Sequence, residues 1–176
     1  MQLVDYDPGW PDAFALERDR IALALGKLAR RIDHHGSTSV PGLAAKPIID
    51  IQVSIDRLQP LAEYSTLLAT LGYVHLPHRD DAFCPFFYRP ERWPHTHHVH
   101  VVKAGGDEER RTLAFRDYLR DHHEMAREYA LLKSQIVEQH DLESDAGRES
   151  YATAKSAFIE RVVRLGLDEG YGALSR

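Results

Sequence analysis

The run "PIIDIQVSI", residues 47–55, constrains the fold more than any other stretch. Ile48, Ile49, Ile51, Val53 and Ile55 form a nearly continuous β-branched series, the pattern of a strand buried on both faces. Asp50 interrupts it. An unpaired carboxylate is costly to bury, so an acid there needs a cation, a set of donors or a pocket to face. Side chains alternate along a strand, which puts Gln52 on the same face as Asp50. A transferase holding two metal ions on such a strand would carry its second acid where Gln52 stands. An amide can orient a ligand but is a poorer metal ligand than a carboxylate.

The stretch before that strand is "HHGSTSVPGLAAK", residues 34–46. Gly36-Ser37 after a short strand can form the edge of a pocket, because a residue without Cβ lets a phosphate approach the backbone. Thr38 and Ser39 add hydroxyls, and Lys46 could add a positive charge. The alternative is a serine-rich turn capping a short helix. For Asp50, the alternative is a structural acid satisfied by backbone N–H groups of the same turn.

The remaining elements follow from periodicity. Pro11 to Ala29 reads as a helix with Phe14, Ile21, Leu25 and Leu28 on one face. Arg31 to His35 reads as a strand, and Pro60 to Leu71 as a helix stopped by Gly72. Strands are expected at Tyr73–Leu76, Phe83–Arg89 and Thr96–Lys103, the middle one an edge or bulged strand because of Pro85. Helices are expected over 108–121, 123–140 and 148–166. No linker or repeat divides the 176 residues, so residues 1–176 read as one domain. The fold class is α+β: a mixed sheet with helices packed on it and a helical C-terminal layer.

Composition narrows the function classes. No apolar run is long enough to span a bilayer, and no secretory signal is visible at the N-terminus. A single cysteine, Cys84, excludes an internal disulfide and fits a reducing cytoplasm. A net charge of −5 argues against general binding of duplex nucleic acid. The 11 histidines are the unusual feature. In "THHVHVV", His98 and His100 share a strand face, roughly 6–7 Å apart. With Asp50 on a neighbouring strand, they could hold one divalent ion with open positions. Mn²⁺, Zn²⁺, Fe²⁺ or Ni²⁺ would suit that set better than Mg²⁺. They could equally be core residues or hold a phosphate directly. His97 points the other way, His95 is a flexible candidate, and His34-His35 and His122-His123 are expected at the surface.

Tyr129 and Lys133 stand at i and i+4, and Tyr151 and Lys155 repeat that spacing. Each pair reads either as a core-boundary tyrosine with a snorkelling lysine or as a phosphate contact. Arg116 is a further phosphate or carboxylate candidate. Arg79 and Arg89 flank a strand and could line the same cleft.

The motifs "GSTSVPGLAAKPIIDI", "THHVHVV", "FRDYLR", "YALLK" and "YATAK" together resemble the GrpB-like proteins, over Tyr6 to about Gly166. That family is placed in the nucleotidyltransferase superfamily. The resemblance implies a Gly-Ser turn followed by a strand bearing alternating acids. It carries Gly36, Ser37 and Asp50 onto the turn and first-acid positions and leaves Gln52 at the second. Three function classes follow. The first is a nucleotidyl- or phosphoryl-transfer domain with a reduced acid set, using Asp50 and Ser37. Its nucleotide or phosphorylated substrate would be held by Gly36, Thr38, Ser39, Lys46, Gln52, Arg79, Arg116, Lys133, Tyr151 and Lys155. The second is a non-catalytic module for the same ligands. The third is a single-metal hydrolase using Asp50, His98 and His100.

Overall fold

A computed structural model of the chain describes residues 3–139, 141 and 143–173. The elements are α1 (Trp10–Leu25), β1 (Ala29–His35), β2 (Ile49–Ile55), α2 (Ala62–Ala69), β3 (Val74–Leu76), β4 (Phe86–Arg89), β5 (His97–Lys103), α3 (Asp107–Asp121), α4 (His123–Val137), α5 (Asp145–Ala154) and α6 (Ser156–Asp168). Short 3₁₀ turns lie at Gly26–Leu28, Ser37–Ser39 and Arg79–Ala82. The expected end of the fourth helix at His140 lies outside the described residues.

The five strands form one sheet in the order β1-β2-β5-β4-β3. Only the β2–β5 pair is parallel; the others are antiparallel. A parallel neighbour requires a crossover, and here α2, β3 and β4 supply the intervening chain. The register sets Asp50 beside His35 on one side and His98 on the other, with Gln52 between Asp33 and His100.

The two faces of β2 differ in chemistry. Ile49, Ile51, Val53 and Ile55 point into a core shared with Ile21 and Leu25 of α1, Tyr64 and Leu68 of α2, and Phe87, Val99 and Val101. Asp50, Gln52 and Ser54 point to the opposite face, toward the C-terminal helices. Burial on both faces is as the β-branched run predicts, yet the second face is polar: Gln52 and Ser54 are fully buried. A second core joins Val40 and Leu43 of the turn region to Tyr118, Leu119, Ala126, Tyr129, Phe158 and Val162. The turn bearing Gly36-Ser37 is thus clamped between sheet and helical layer. Among the described residues no helix is long and apolar enough to cross a membrane.

Several expectations need correction. The first helix ends at Leu25, because Gly26 takes φ 51° and turns the chain into β1. Pro85 lies just before β4 and offers its carbonyl to Val101 N–H (2.9 Å). The missing donor therefore costs the ladder nothing, and β4 is an interior strand with β3 at the edge. The last expected helix is two helices. At Lys155 the backbone bonds back to Ala152, an i→i+3 contact that tightens the turn and separates α5 from α6. His34 and His35 are buried. His34 stacks on Phe14 (4.8 Å) and its Nε2 meets Thr38 Oγ1 (3.0 Å). Since the Thr38 hydroxyl donates to the Ile48 carbonyl, His34 Nε2 carries the proton.

Two local constraints stand out. Glu17 is buried and accepts from the Tyr73 hydroxyl (3.0 Å), Arg20 Nη1 (2.8 Å) and Arg89 Nη2 (3.0 Å), which ties α1 to β3 and β4. Gly36 takes φ 67° and ψ −171°, and a Cβ there would stand 2.3 Å from Asp50 Oδ2. Only glycine is tolerated in that backbone region and at that distance.

Replacing Glu17 with Ala removes the carboxylate partner of two guanidinium groups and of a buried phenol. Stability should fall by about 3 kcal/mol in urea unfolding; a loss under about 1 kcal/mol would show that water re-satisfies them. Gly36→Ala should cost about 2 kcal/mol or more. Gly42, also at positive φ (77°) but with nothing near its would-be Cβ, is the control. Gly42→Ala should cost only about 1 kcal/mol. Equal losses at the two positions would show that the approach to Asp50 carries no energy.

Candidate functional site

A cleft of about 420 Å³ opens where the Gly36-Ser37 turn meets the polar sheet face and the C-terminal helices. Its floor is His35, Gly36, Ser37, Asp50 and His100. Its far wall is built from Arg111, Thr112 and Phe115 of α3, Tyr129 of α4, and Lys155, Ile159 and Val163 at the α5–α6 joint and along α6. Arg111 spans the wall with its Nη2 2.5 Å from Glu160 Oε1.

Asp50 is the single carboxylate on the floor. His98 Nδ1 lies 3.2 Å from its Oδ1, and His98 Nε2 lies 3.1 Å from His95 Nδ1. His95 in turn stacks on Tyr88 (4.3 Å). Burial alone would push the Asp50 carboxyl up. The hydrogen bond from His98, together with the potential of His98, His35 and His100, outweighs it and holds the group well below the usual carboxylate range. Asp50 is therefore ionised. Burial pushes His35 down to about 3 and His100 down to about 4, so both imidazoles are neutral near pH 7. Their rings meet edge to face at 4.9 Å. Burial lifts the Cys84 thiol to about 12, which leaves it an unreactive neighbour, Sγ 3.8 Å from His100 Nδ1.

The family resemblance read from the sequence would imply a divalent ion here, and among the described residues the side chains do not assemble a full ligand set. Both ring nitrogens of His98 lie within hydrogen-bonding distance of protein partners, Asp50 Oδ1 and His95 Nδ1. Gln52 is fully buried, with no hydrogen-bond partner for either amide atom. Among the described residues, no group of three or more His, Cys, Asp and Glu side chains is placed to hold a metal ion. Asp50, His98 and His100 share a face, as alternation predicts, and His98 Nδ1 is within hydrogen-bonding distance of Asp50 Oδ1.

The lining carries the carboxylates Asp50, Glu108 and Glu160 and the cations Arg111 and Lys155; two further lysines, Lys46 and Lys133, gather close by without lining it. Lys46 Nζ lies 4.1 Å and Lys155 Nζ 4.2 Å from the centre of the buried Tyr151 ring. Lys133 is only 1% exposed and donates to Ser37 Oγ (3.0 Å) and to the Ala44 carbonyl (2.5 Å). Among the described residues none of the three ammonium groups forms a salt bridge. Burial lowers Lys133 to about 7 and Lys46 and Lys155 to about 8. Mutual repulsion adds to the fall, and Asp50 opposes it.

The other expected site residues divide sharply. Thr38 and Ser39 are buried in the turn; the Ser39 hydroxyl donates to Gly36 O (2.6 Å), and the Ser39 carbonyl accepts from Arg120 (2.8 Å). Arg116 reaches Asp117, Asp33 and the His34 carbonyl, fastening α3 to β1 instead of facing the cleft. Arg79 has an 87% exposed side chain beside Asp80, and Arg89 sits on the opposite sheet face with Glu17. Neither lines the cleft. Sequence reading passed over Arg111, Phe115, Ile159 and Val163. Lys155, Ile159 and Val163 recur at four-residue spacing, a stripe that marks one face of a helix.

Comparisons with known proteins give the family and the fold. The family model described as GrpB protein matches residues 1–164. A relative from Halalkalibacterium halodurans, UPF0157 protein BH1888, is 36% identical over 163 residues, covering 92% of this chain and 80% of the relative. The chain spans only 40% of the length of another relative, UPF0157 protein YqkA of Bacillus subtilis, at 35% identity over 140 residues. The crystal structure of conserved protein GrpB from Enterococcus faecalis superposes with a TM-score of 0.82 at 30% identity, covering 96% of this chain and 98% of that one. Terminal uridylyl transferase 4 from Trypanosoma brucei, solved with bound dUTP, superposes at 0.55 with 16% identity over 94% of this chain and 55% of its own, a likeness of fold alone. A nucleotidyltransferase-like sheet, a Gly-Ser turn against a lone strand carboxylate, and the matched family model make this chain a member of the GrpB family.

Proposed function

We propose that the chain is a nucleotidyl- or phosphoryl-transfer-type domain whose cleft takes the phosphate groups of a nucleotide or other phosphorylated small molecule at the Gly36-Ser37 turn. One observation carries this reading: Lys133 bonds the turn at Ser37, Lys46 and Lys155 meet on the Tyr151 ring, and none of the three has a carboxylate partner among the described residues. Withdrawing ammonium groups from water without counter-ions is unfavourable, and their depressed proton affinity records that cost. A phosphate in the cleft would supply the missing negative charge. Lys155 lines the cleft directly, and Lys46 lies against the same Tyr151 ring. Asp50, held ionised by His98, is placed to accept a proton from an acceptor hydroxyl entering the same cleft.

Gln52 favours a second reading, ligand binding without transfer, because it removes the second acid of the strand. The two readings part on turnover. Release of pyrophosphate or phosphate from ATP or GTP, lost in Asp50→Asn, supports transfer. Binding with no release from any nucleotide offered supports the module.

Calorimetric titration with pyrophosphate, ATP, GTP and CoA tests the shared claim. Lys155→Ala and Lys46→Ala should each weaken binding about tenfold or more, since a hydrogen bond to a charged group is worth about 1.5–3 kcal/mol. EDTA should leave the pyrophosphate affinity within about twofold, given a donor set that does not fit a metal. Affinity should fall as pH rises above about 8, where free Lys46 and Lys155 lose their protons and binding must take them up again. No binding of any of the four ligands, or affinity that climbs with pH, would sink the phosphate reading.

A further inference from the structure

Lys133 does not line the cleft. It lies behind Ser37, nearly out of reach of solvent, and points its amine at the Ser37 hydroxyl (3.0 Å). Its second partner is a neutral carbonyl, that of Ala44. Tyr129, one turn earlier on α4, sets its ring 4.8 Å from the same Nζ and its hydroxyl against Ser37. Ser37 is therefore a hydroxyl with a buried amine behind it and an open cleft before it. A serine backed by a desolvated lysine is a nucleophile with its own base, because the neutral amine can take the hydroxyl proton.

We propose that Ser37 is a covalent nucleophile that takes a phosphoryl group from a phosphorylated substrate, with Lys133 as the acceptor of its proton. This deepens the phosphate reading and rests on it. The Oγ–P bond forms as the bond from phosphorus to the leaving oxygen breaks. The Ser37 proton moves to Lys133 Nζ, and the leaving oxygen departs with its electron pair and gains a proton from Lys155 or from water. The product is a phosphoserine at residue 37, from which an acceptor hydroxyl deprotonated by Asp50 would remove the group.

The electrostatics suit this division of labour. The groups facing Lys133 are the Lys155 ammonium from the α5–α6 joint, the Asp50 carboxylate from β2 and the Tyr129 phenol on its own helix. Burial and Lys155 bring Lys133 down to about 7, against the weaker pull of Asp50, so a large fraction is neutral near neutral pH. Burial and the neighbouring Lys46 lower Lys155 to about 8. Lys133 touches Ser37 and Lys155 lines the open cleft, so position assigns the proton acceptor and the proton donor.

An alkyl fluorophosphonate is the probe, since it presents phosphorus with fluoride as leaving group and needs no knowledge of the natural substrate. Peptide mass analysis of the wild-type protein should place the adduct on Ser37, and the labelling rate should rise through pH 7 as Lys133 loses its proton. Ser37→Ala should abolish the adduct. Lys133→Arg keeps a cation behind Ser37 but cannot act as a base, and should slow labelling at least about 100-fold and flatten the pH profile. Circular dichroism of that variant reports whether it folds. If it does not, the wild-type pH profile still decides, because an absent step near 7 overturns the proposal. No adduct on wild type, an adduct elsewhere, or equal rates in wild type and folded Lys133→Arg would also overturn it. Pyrophosphate binding retained by Ser37→Ala separates the two claims: binding without labelling on wild type leaves the phosphate reading standing and the nucleophile excluded.

Discussion

The site depends on the approach of the Gly36 backbone to the Asp50 carboxylate. The antiparallel register of β1 and β2 brings residue 35 opposite residue 50, so the chain leaving β1 must turn directly over the acid. There is no room for a Cβ between them. The turn that results points the Ser37 hydroxyl at the cleft and the Ala44 carbonyl at α4, and Lys133 bonds to both. Val40 and Leu43 from the same turn enter the core of the helical layer. One close contact between strand and turn therefore fixes where the sheet and the C-terminal helices can meet, and the cleft is what remains between them.

The charge arrangement follows from that geometry. A carboxylate at the centre of a sheet needs a donor at hydrogen-bonding range, and the parallel neighbour β5 supplies His98 in register with it. With Asp50 satisfied from that side, it offers only long-range attraction to the lysines gathered across the cleft. Tyr151 and Tyr129 give those ammonium groups aromatic faces, a partial substitute for water and weaker than a counter-ion. The outcome is a cleft that holds positive charge at a cost an anionic ligand can offset.

Sequence periodicity made the elements legible wherever the signal is local. The β-branched run located β2, alternation put Asp50, Gln52, His98 and His100 on one face, and the Gly-Ser turn was recognisable from residue type. Facts that depend on distant pairing were not. His34 and His35 looked like surface residues at a strand end, and tertiary packing, such as that of Phe14 on His34, buries them. Pro85 suggested an edge strand because a missing donor is harmful inside a sheet; its position just before the strand removes that penalty, which single-residue reasoning cannot see. Arg116 and Lys133 were equal candidates in sequence. The structure gives the first a structural tie to Asp33 and the second the Ser37 hydroxyl, a difference set by which helix crosses which strand. The α5–α6 break is equally quiet in sequence, since Lys155 keeps a helical conformation there and only the hydrogen-bond spacing changes.

Gln52 ties these observations together. A second carboxylate at that position would sit between Asp33 and His100, fully buried, with Asp50 two residues away on the same face. Without a divalent ion two such acids could not both ionise cheaply, and one would take up a proton. An amide avoids the repulsion and leaves Asp50 as the sole negative charge on the floor. The positive charge a metal would otherwise bring comes, on the proposed reading, from Lys46 and Lys155, while Lys133 stands ready to change its protonation state. A cleft balanced in this way responds to pH where a two-acid cleft would respond to metal concentration.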